Sequence, residues 1–174
     1  MKKLWEFLYS NDEKLFVYIN KKIKCKILDT LMPRITHLGG VIFSMLTCFG
    51  LYLFKDTKVA ATDALITLIG SQGIVQLFKN LIGRKRPYMV LPDVNTFWAK
   101  LLRDCSFPSG HTTAGFSLAA VFAIHFPGYS MISYSLATMV GVSRIYTGMH
   151  YPTDVLSGAF LGTGFALLTQ VLKR

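Results

Sequence analysis

The sequence predicts an all-α membrane protein: a polytopic bundle of about five transmembrane helices preceded by an N-terminal interfacial helical segment. Three observations carry this. The 174-residue chain is 52% hydrophobic with a mean hydropathy of +0.41, too apolar for an ordinary soluble domain. Its apolar residues gather into five stretches, Thr36 to Phe54, Val59 to Phe78, Thr112 to Phe126, Met131 to Tyr146 and Val155 to Leu172. The polar, chemistry-bearing residues lie at the ends of those stretches, where a bilayer meets water.

Residues 1–35 read as a basic segment lying in the membrane interface, with Trp5, Phe7, Leu8, Leu15, Phe16, Tyr18 and Ile19 as lipid-facing side chains. Met1 to Asn20 carries Glu6, Asp12, Glu13 and Lys14 where a signal peptide has its apolar core, so insertion is expected from the spans themselves. Residues 36–174 are expected to form the bundle, in one domain with the segment before them. A spanning helix takes roughly 17 to 25 mostly apolar residues. The first, second and fifth stretches reach this alone, and the third and fourth reach it only if helix continues into the polar motifs at their ends. Val94 to Arg103 has helical spacing of Val94, Phe97, Trp98, Leu101 and Leu102 against Asn95, Lys100 and Arg103, and predicts a surface helix near the site. Gly158 and Gly162 form a GxxxG pair suited to helix packing within the bundle. Cys25, Cys48 and Cys105 lack the spacing of a zinc site or a disulfide framework.

If the five spans alternate, the connections Asn80 to Phe107 and Thr147 to Thr153 share one side of the membrane. All motifs then converge on one face. The opposite face receives only Lys55 to Lys58, the turn at Pro127-Gly128, and the last two residues. Of the 19 Lys and Arg, all but Lys55, Lys58, Lys173 and Arg174 fall on the motif face or the N-terminal segment. The positive-inside rule alone places that face in the cytoplasm. The net charge of +10 comes with no nucleic-acid motif, so its partner is expected to be the bilayer with its anionic headgroups, not nucleic acid.

Three segments carry the chemistry. Ser143 to Asp154 reads SRIYTGMHYPTD, and Pro152 opens a helix but does not sit inside one. His150 therefore precedes the last helix, with Asp154 in its first turn, where a carboxylate can hold one imidazole nitrogen and leave the other free as a nucleophile or base. A solitary His–Asp pair equally serves to staple a turn. Pro108-Ser109-Gly110-His111 precedes an apolar helix, with Ser109 as N-cap, Gly110 allowing close backbone approach, and His111 able to protonate a leaving oxygen; alone, it is also simple capping. Lys79, Arg86 and Arg144 flank spans, as interfacial anchors do, but guanidinium and ammonium groups also bind phosphate and stabilise charge in its transfer. Three cations with two histidines on one face point to phosphoryl transfer. His37 lies on the same face outside these segments, and His125 at the far end. Arg84 and Lys85 are expected to meet a second phosphate or lipid headgroups.

Lys79, six residues, Arg86-Pro87; then PSGH; then Ser143-Arg144, five residues, His150, three residues, Asp154 resembles the full three-part signature of the type 2 phosphatidic acid phosphatase family, membrane branch. The resemblance implies that His150 is the nucleophile forming a phosphohistidine, Asp154 its orienting partner and His111 the general acid. Lys79, Arg86, Ser109, Gly110 and Arg144 would bind phosphate. It implies no metal and no cofactor, and the motifs contain no carboxylate cluster suited to Mg²⁺ or Zn²⁺. The expected function is a membrane lipid phosphatase of the plasma membrane, with undecaprenyl diphosphate as first substrate and phosphatidylglycerophosphate or phosphatidate as alternatives. The family places its site on the extracytoplasmic face, against the charge count. A non-catalytic module that binds or transports anionic lipids would keep the arginines but need neither histidine. Peroxidase chemistry on bound vanadate belongs to larger soluble relatives.

Overall fold

Apolar side chains point outward and small hydroxyl-bearing ones inward, which is the packing of a helix bundle in lipid. The computed structural model describes residues 2–97 and 104–173. Among these the main helices are α1 (Lys2–Val17), α2 (Lys26–Ile35), α3 (Val41–Leu53), α4 (Lys58–Ile82), α5 (Pro87–Val90), α6 (Gly110–His125), α7 (Ser130–Tyr146) and α8 (Pro152–Leu172), with no strand. Val41, Ile42 and Leu46 of α3, Met131 and Ile132 of α7, and Phe160 and Val171 of α8 are exposed. The interior holds Thr67 against Thr169 at 3.2 Å and Ser71 against Ser117 at 3.1 Å.

Helix α6 is the hub, packed against α4, α7 and α8. Its buried residues are Thr112, Thr113, Ala114, Ser117, Leu118, Ala119, Ala120 and Val121, mostly small enough for close approach. The tightest approach is to α8, where a Cβ on Gly162 would stand 2.4 Å from the Thr113 carbonyl oxygen and one on Gly158 2.7 Å from that of Ser109. The GxxxG pair thus packs inside the bundle.

The helices fall where the five apolar stretches predicted them, but not all have the length of a span. The helical stretch Lys55–Val90 and α8 are long and apolar enough to cross a membrane, and the pair Lys26–Gly39 and Val41–Leu53, bent by 54°, makes a third if read as one broken span. The first span was expected to run unbroken from Thr36. Instead Thr36–Gly39 is a 3₁₀ turn and Gly40 is extended, so α3 begins at Val41. At 16 and 17 residues, α6 and α7 are about 25 Å long at 1.5 Å per residue, short of the roughly 30 Å hydrocarbon core. The chain is a multi-pass membrane protein with two or three spans by length and composition.

The N-terminal segment departs from the expectation of a lipid-facing anchor. Leu15 and Tyr18 are exposed, but Phe16 is fully buried against Ile145 and Tyr151, with Ile19 packed beside them. Asn20 is also buried, donating to the backbone oxygens of Tyr146 at 2.7 Å and Asn95 at 2.9 Å. The segment packs on protein because its polar side chains find backbone partners there. Trp5, Phe7 and Leu8 lie outside the described side chains. The expected surface helix does not begin at Val94: residues 94–97 are non-helical, Phe97 stacks on Tyr146 with centroids 5.3 Å apart, and residues 98–103 lie outside the described residues.

At the far end, Asp63 of α4 is 1% exposed. It accepts from Gln170 at 2.6 Å, pairs with His125 at 2.9 Å and forms an ion pair with Lys173, tying α4, α6 and α8 together. Asp63→Ala is expected to cost about 1–3 kcal/mol, the scale of a lost buried hydrogen-bond partner, read as a lower melting midpoint in detergent.

Candidate active site

The three motifs meet at one end of the bundle. Lys79 lies one turn before the end of α4, where Gly83 adopts φ +64° and its N–H bonds the Lys79 carbonyl at 3.2 Å. This left-handed cap stops the helix and lets the chain return, so that Arg86 sits just before Pro87 at the start of α5. Tyr151 and Pro152 open α8, with the Asp154 carboxylate accepting from the Tyr151 N–H at 2.9 Å. That cap places His150 immediately before the helix.

Lys79, Arg86, Gly110, His111, Arg144 and His150 line one cavity of about 430 Å³. From this polar end the cavity runs between α3 and α4 past Ser44, Gln72 and Val75 to Met45, Leu68 and Ile69. Ile69 and Met45 are exposed, so the groove opens on the apolar flank of the bundle. Arg86, 1% exposed, donates through NH1 to the Met149 carbonyl at 3.0 Å and lies 3.1 Å from His150 Nε2. Arg144 donates to Thr36 Oγ1 at 2.7 Å, and its Nε has no hydrogen-bond partner among the described residues. Asp104 bridges two of the cations: Arg86 NH2 donates to its carboxylate at 2.7 Å, and Lys79 forms an ion pair with it. An anion entering the cavity would compete with Asp104 for these donors.

A PAP2 superfamily model matches residues 60–173. The chain belongs to the PAP2 superfamily. It is 36% identical over 110 residues to a lipid A 1-phosphatase of Rhizobium johnstonii, covering 61% of this chain and 45% of that protein. It is 32% identical over 134 residues to the undecaprenyl-diphosphatase BcrC of Bacillus subtilis, covering 75% of this chain and 67% of the relative. The crystal structure of a transmembrane PAP2-type phosphatidylglycerolphosphate phosphatase from Bacillus subtilis matches with a TM-score of 0.79 at 25% identity, over 95% of this chain and 86% of that one. The chain spans about half the length of the two Rhizobium lipid A 1-phosphatases it matches.

Within this PAP2 chain the tautomer of His150 follows from its neighbours. Arginine has donors only, so Nε2 facing Arg86 NH1 carries the lone pair, and the ring proton sits on Nδ1. Nδ1 is 3.5 Å from Asp154 Oδ2, longer than a normal hydrogen bond, so Asp154 faces the imidazole without closing on it. Burial, then the charges of Arg86, Arg144 and Lys79, hold the His150 imidazole well below its ordinary value of 6.5. The lowered group stays neutral as pH falls through 6.5, where an unperturbed histidine is half charged. The ¹⁵N shifts of His150 in the detergent-solubilised protein are expected to remain those of a neutral ring at pH 6. An imidazolium signal there would reverse this.

Burial likewise pushes the Asp104 carboxyl up, but hydrogen bonding and charge from Lys79 and Arg86 outweigh it and hold the group below the usual carboxylate range.

Not every predicted site residue of the PAP2 motifs occupies the expected place. Ser109 stands at the N-cap position of α6, yet its hydroxyl pairs with Thr112 at 2.8 Å, because the caps of a tightly packed hub find side-chain partners closer than the helix N–H groups. His37 is exposed and does not line the cavity. Arg84, expected to meet phosphate or headgroups, is turned inward to Asp154 and Asp12. Asp104 and Asp12 were not singled out for the site by sequence. Asp104 had one available signal, an acid four residues before Pro108 in a strongly basic chain, and Asp12 had none. Among the described residues no three His, Cys, Asp or Glu side chains gather as metal ligands would.

Proposed function

We propose that this chain is an integral membrane lipid phosphatase that removes the terminal phosphate of a lipid phosphate or diphosphate through a phosphohistidine intermediate. Undecaprenyl diphosphate is the first substrate to test, with phosphatidylglycerophosphate or phosphatidate as alternatives. The observation that carries this reading is His150 Nε2, 3.1 Å from Arg86 NH1, in a cavity that also holds Lys79, Arg144 and His111 and runs into an apolar groove. The groove suits a tail that stays in the bilayer while the phosphate reaches the cations. Five crossings, by α3, α4, α6, α7 and α8, would put that phosphate end at one membrane surface.

In the first step the Nε2 lone pair of His150 attacks phosphorus, the bond to the leaving oxygen breaks, and His111 gives that oxygen a proton. Lys79, Arg86 and Arg144 hold the charge that spreads over the phosphoryl oxygens. The first turn of α6, at Gly110 and His111, adds backbone N–H groups that a helix start leaves without internal partners, and Ser109 steadies that turn. Asp154 orients the imidazole and offsets the positive charge it gains. In the second step His111 takes a proton from water, the water oxygen bonds to phosphorus, and the N–P bond breaks, returning the electron pair to His150 Nε2 and releasing phosphate.

The test is phosphate release from a panel of lipid phosphates in vesicles, with and without EDTA, beside His150→Ala. Release that survives EDTA and is lost in the variant supports the reading. Equal release by both removes His150 as the nucleophile, and release by neither leaves the anionic-lipid binder. We place the site on the extracytoplasmic face of the plasma membrane, following the family. Cys25 is free and exposed and lies beside the Tyr146 hydroxyl, so its labelling by an impermeant maleimide in intact cells reports the side.

A further inference from the structure

Helix α1 reaches the catalytic end through one buried carboxylate. Asp12, 5% exposed, accepts from Arg84 NH2 at 2.6 Å, from the Thr153 N–H at 2.9 Å and from the Thr153 hydroxyl at 2.5 Å. The other arm of the same guanidinium, NH1, donates to Asp154 Oδ1 at 2.7 Å and to Thr153 Oγ1 at 2.8 Å, while its plane lies over the Tyr151 ring, 4.0 Å from the centroid. Asp154 is fully buried, and its second oxygen faces His150 Nδ1. The chain of contacts runs from Asp12 through Arg84 and Asp154 to His150.

We infer that Asp12 is a positioning residue for phosphoryl transfer, acting on His150 through Arg84 and Asp154; the inference rests on the histidine mechanism proposed above. The reason is charge. Asp12, Arg84 and Asp154 together carry one net negative charge. When Nε2 bonds to phosphorus, the Nδ1 proton stays on the ring and the imidazole becomes cationic, so it needs a carboxylate with charge to spare. Arg84 alone would take up the charge of Asp154. Asp12 supplies the second anion, Arg84 is neutralised from both sides, and Asp154 keeps its charge for His150. Thr153 joins the same network, donating to Asp12 and accepting from Arg84, which fixes the register of the helix start that carries Asp154. Buried polar groups left with half their partners are costly, so each contact also holds the others in place.

The test compares D12N, D12E and the double variant D12N/R84M with wild type and His150→Ala, in steady-state hydrolysis of a lipid phosphate in mixed micelles. D12N is expected to lower kcat about 10- to 100-fold, the scale seen for outer partners that orient a reacting histidine, with KM changed less than about twofold. D12E should recover part of the loss. D12N/R84M restores the net charge by removing the cation that now draws on Asp154, so its kcat should exceed that of D12N alone. A double variant slower than D12N, or D12N at the wild-type kcat while His150→Ala is inactive, overturns the inference. If neither D12N nor the double variant folds, Asp12 is a fold residue and the positioning role fails. If His150→Ala matches wild type, the histidine mechanism itself is what fails.

Discussion

His150→Ala is expected to lower lipid-phosphate hydrolysis by at least about 10²-fold, the scale of a lost acid–base partner or more, and to abolish any phosphoryl-enzyme. The companion variant His111→Ala should lose activity on a similar scale but by a different route. His150 supplies the electron pair that forms the N–P bond, and no cation in the cavity can replace it. His111 supplies a proton, and a substrate whose leaving oxygen needs none does not depend on it. Rapid-quench trapping of acid-labile phosphate on the protein, with an alkyl and a nitrophenyl phosphate, separates the two. His111→Ala should recover most of its rate with the nitrophenyl ester, and His150→Ala should recover none. The same recovery in both variants would assign the histidines to a shared structural role.

What was legible in the sequence is what local chemistry dictates. Apolar stretches located α3, α4, α6, α7 and α8, and Pro152 placed His150 ahead of a helix start with Asp154 one turn on. The parity of the spans brought Lys79, Arg86, His111, Arg144 and His150 together, and these now line one cavity. What was not legible depends on contacts distant in the chain. Phe16 and Leu15 are neighbours of equal hydrophobicity, and only the presence of Ile145 and Tyr151 buries the first while the second stays exposed. Arg84 and Arg86 look alike in GRKRP, yet Arg84 faces Asp12 and Asp154 while Arg86 faces the cavity. Residues two apart in an extended stretch share a side, so the turning of Arg84 away from Arg86, toward a carboxylate 72 residues distant, is set by tertiary packing. The span count was legible only in part: two or three stretches have the length and composition of a span, while α6 and α7 are shorter and pack on their neighbours.

Substituting Arg86 should produce a loss of similar size by disturbing binding and chemistry together. One guanidinium makes four contacts: Nε to the Asp104 carbonyl at 3.1 Å, NH2 to the Asp104 carboxylate at 2.7 Å, NH1 to the Met149 carbonyl at 3.0 Å, and NH1 beside His150 Nε2 at 3.1 Å. These fix both the nucleophile and the loop that carries it, and the fork presents two donors to a phosphate in place of Asp104. Arg86→Ala is expected to lower kcat/KM about 10²- to 10³-fold, as removal of a preorganised donor to developing oxyanion charge does. Arg86→Lys should recover little of it, because an ammonium restores the charge but cannot span Asp104, Met149 and His150 in one plane. The asymmetry distinguishes this cation from a headgroup anchor, for which charge alone suffices. Kinetics of the two variants on one lipid phosphate give the answer, and an Arg86→Lys enzyme within about threefold of wild type would reduce Arg86 to a point charge.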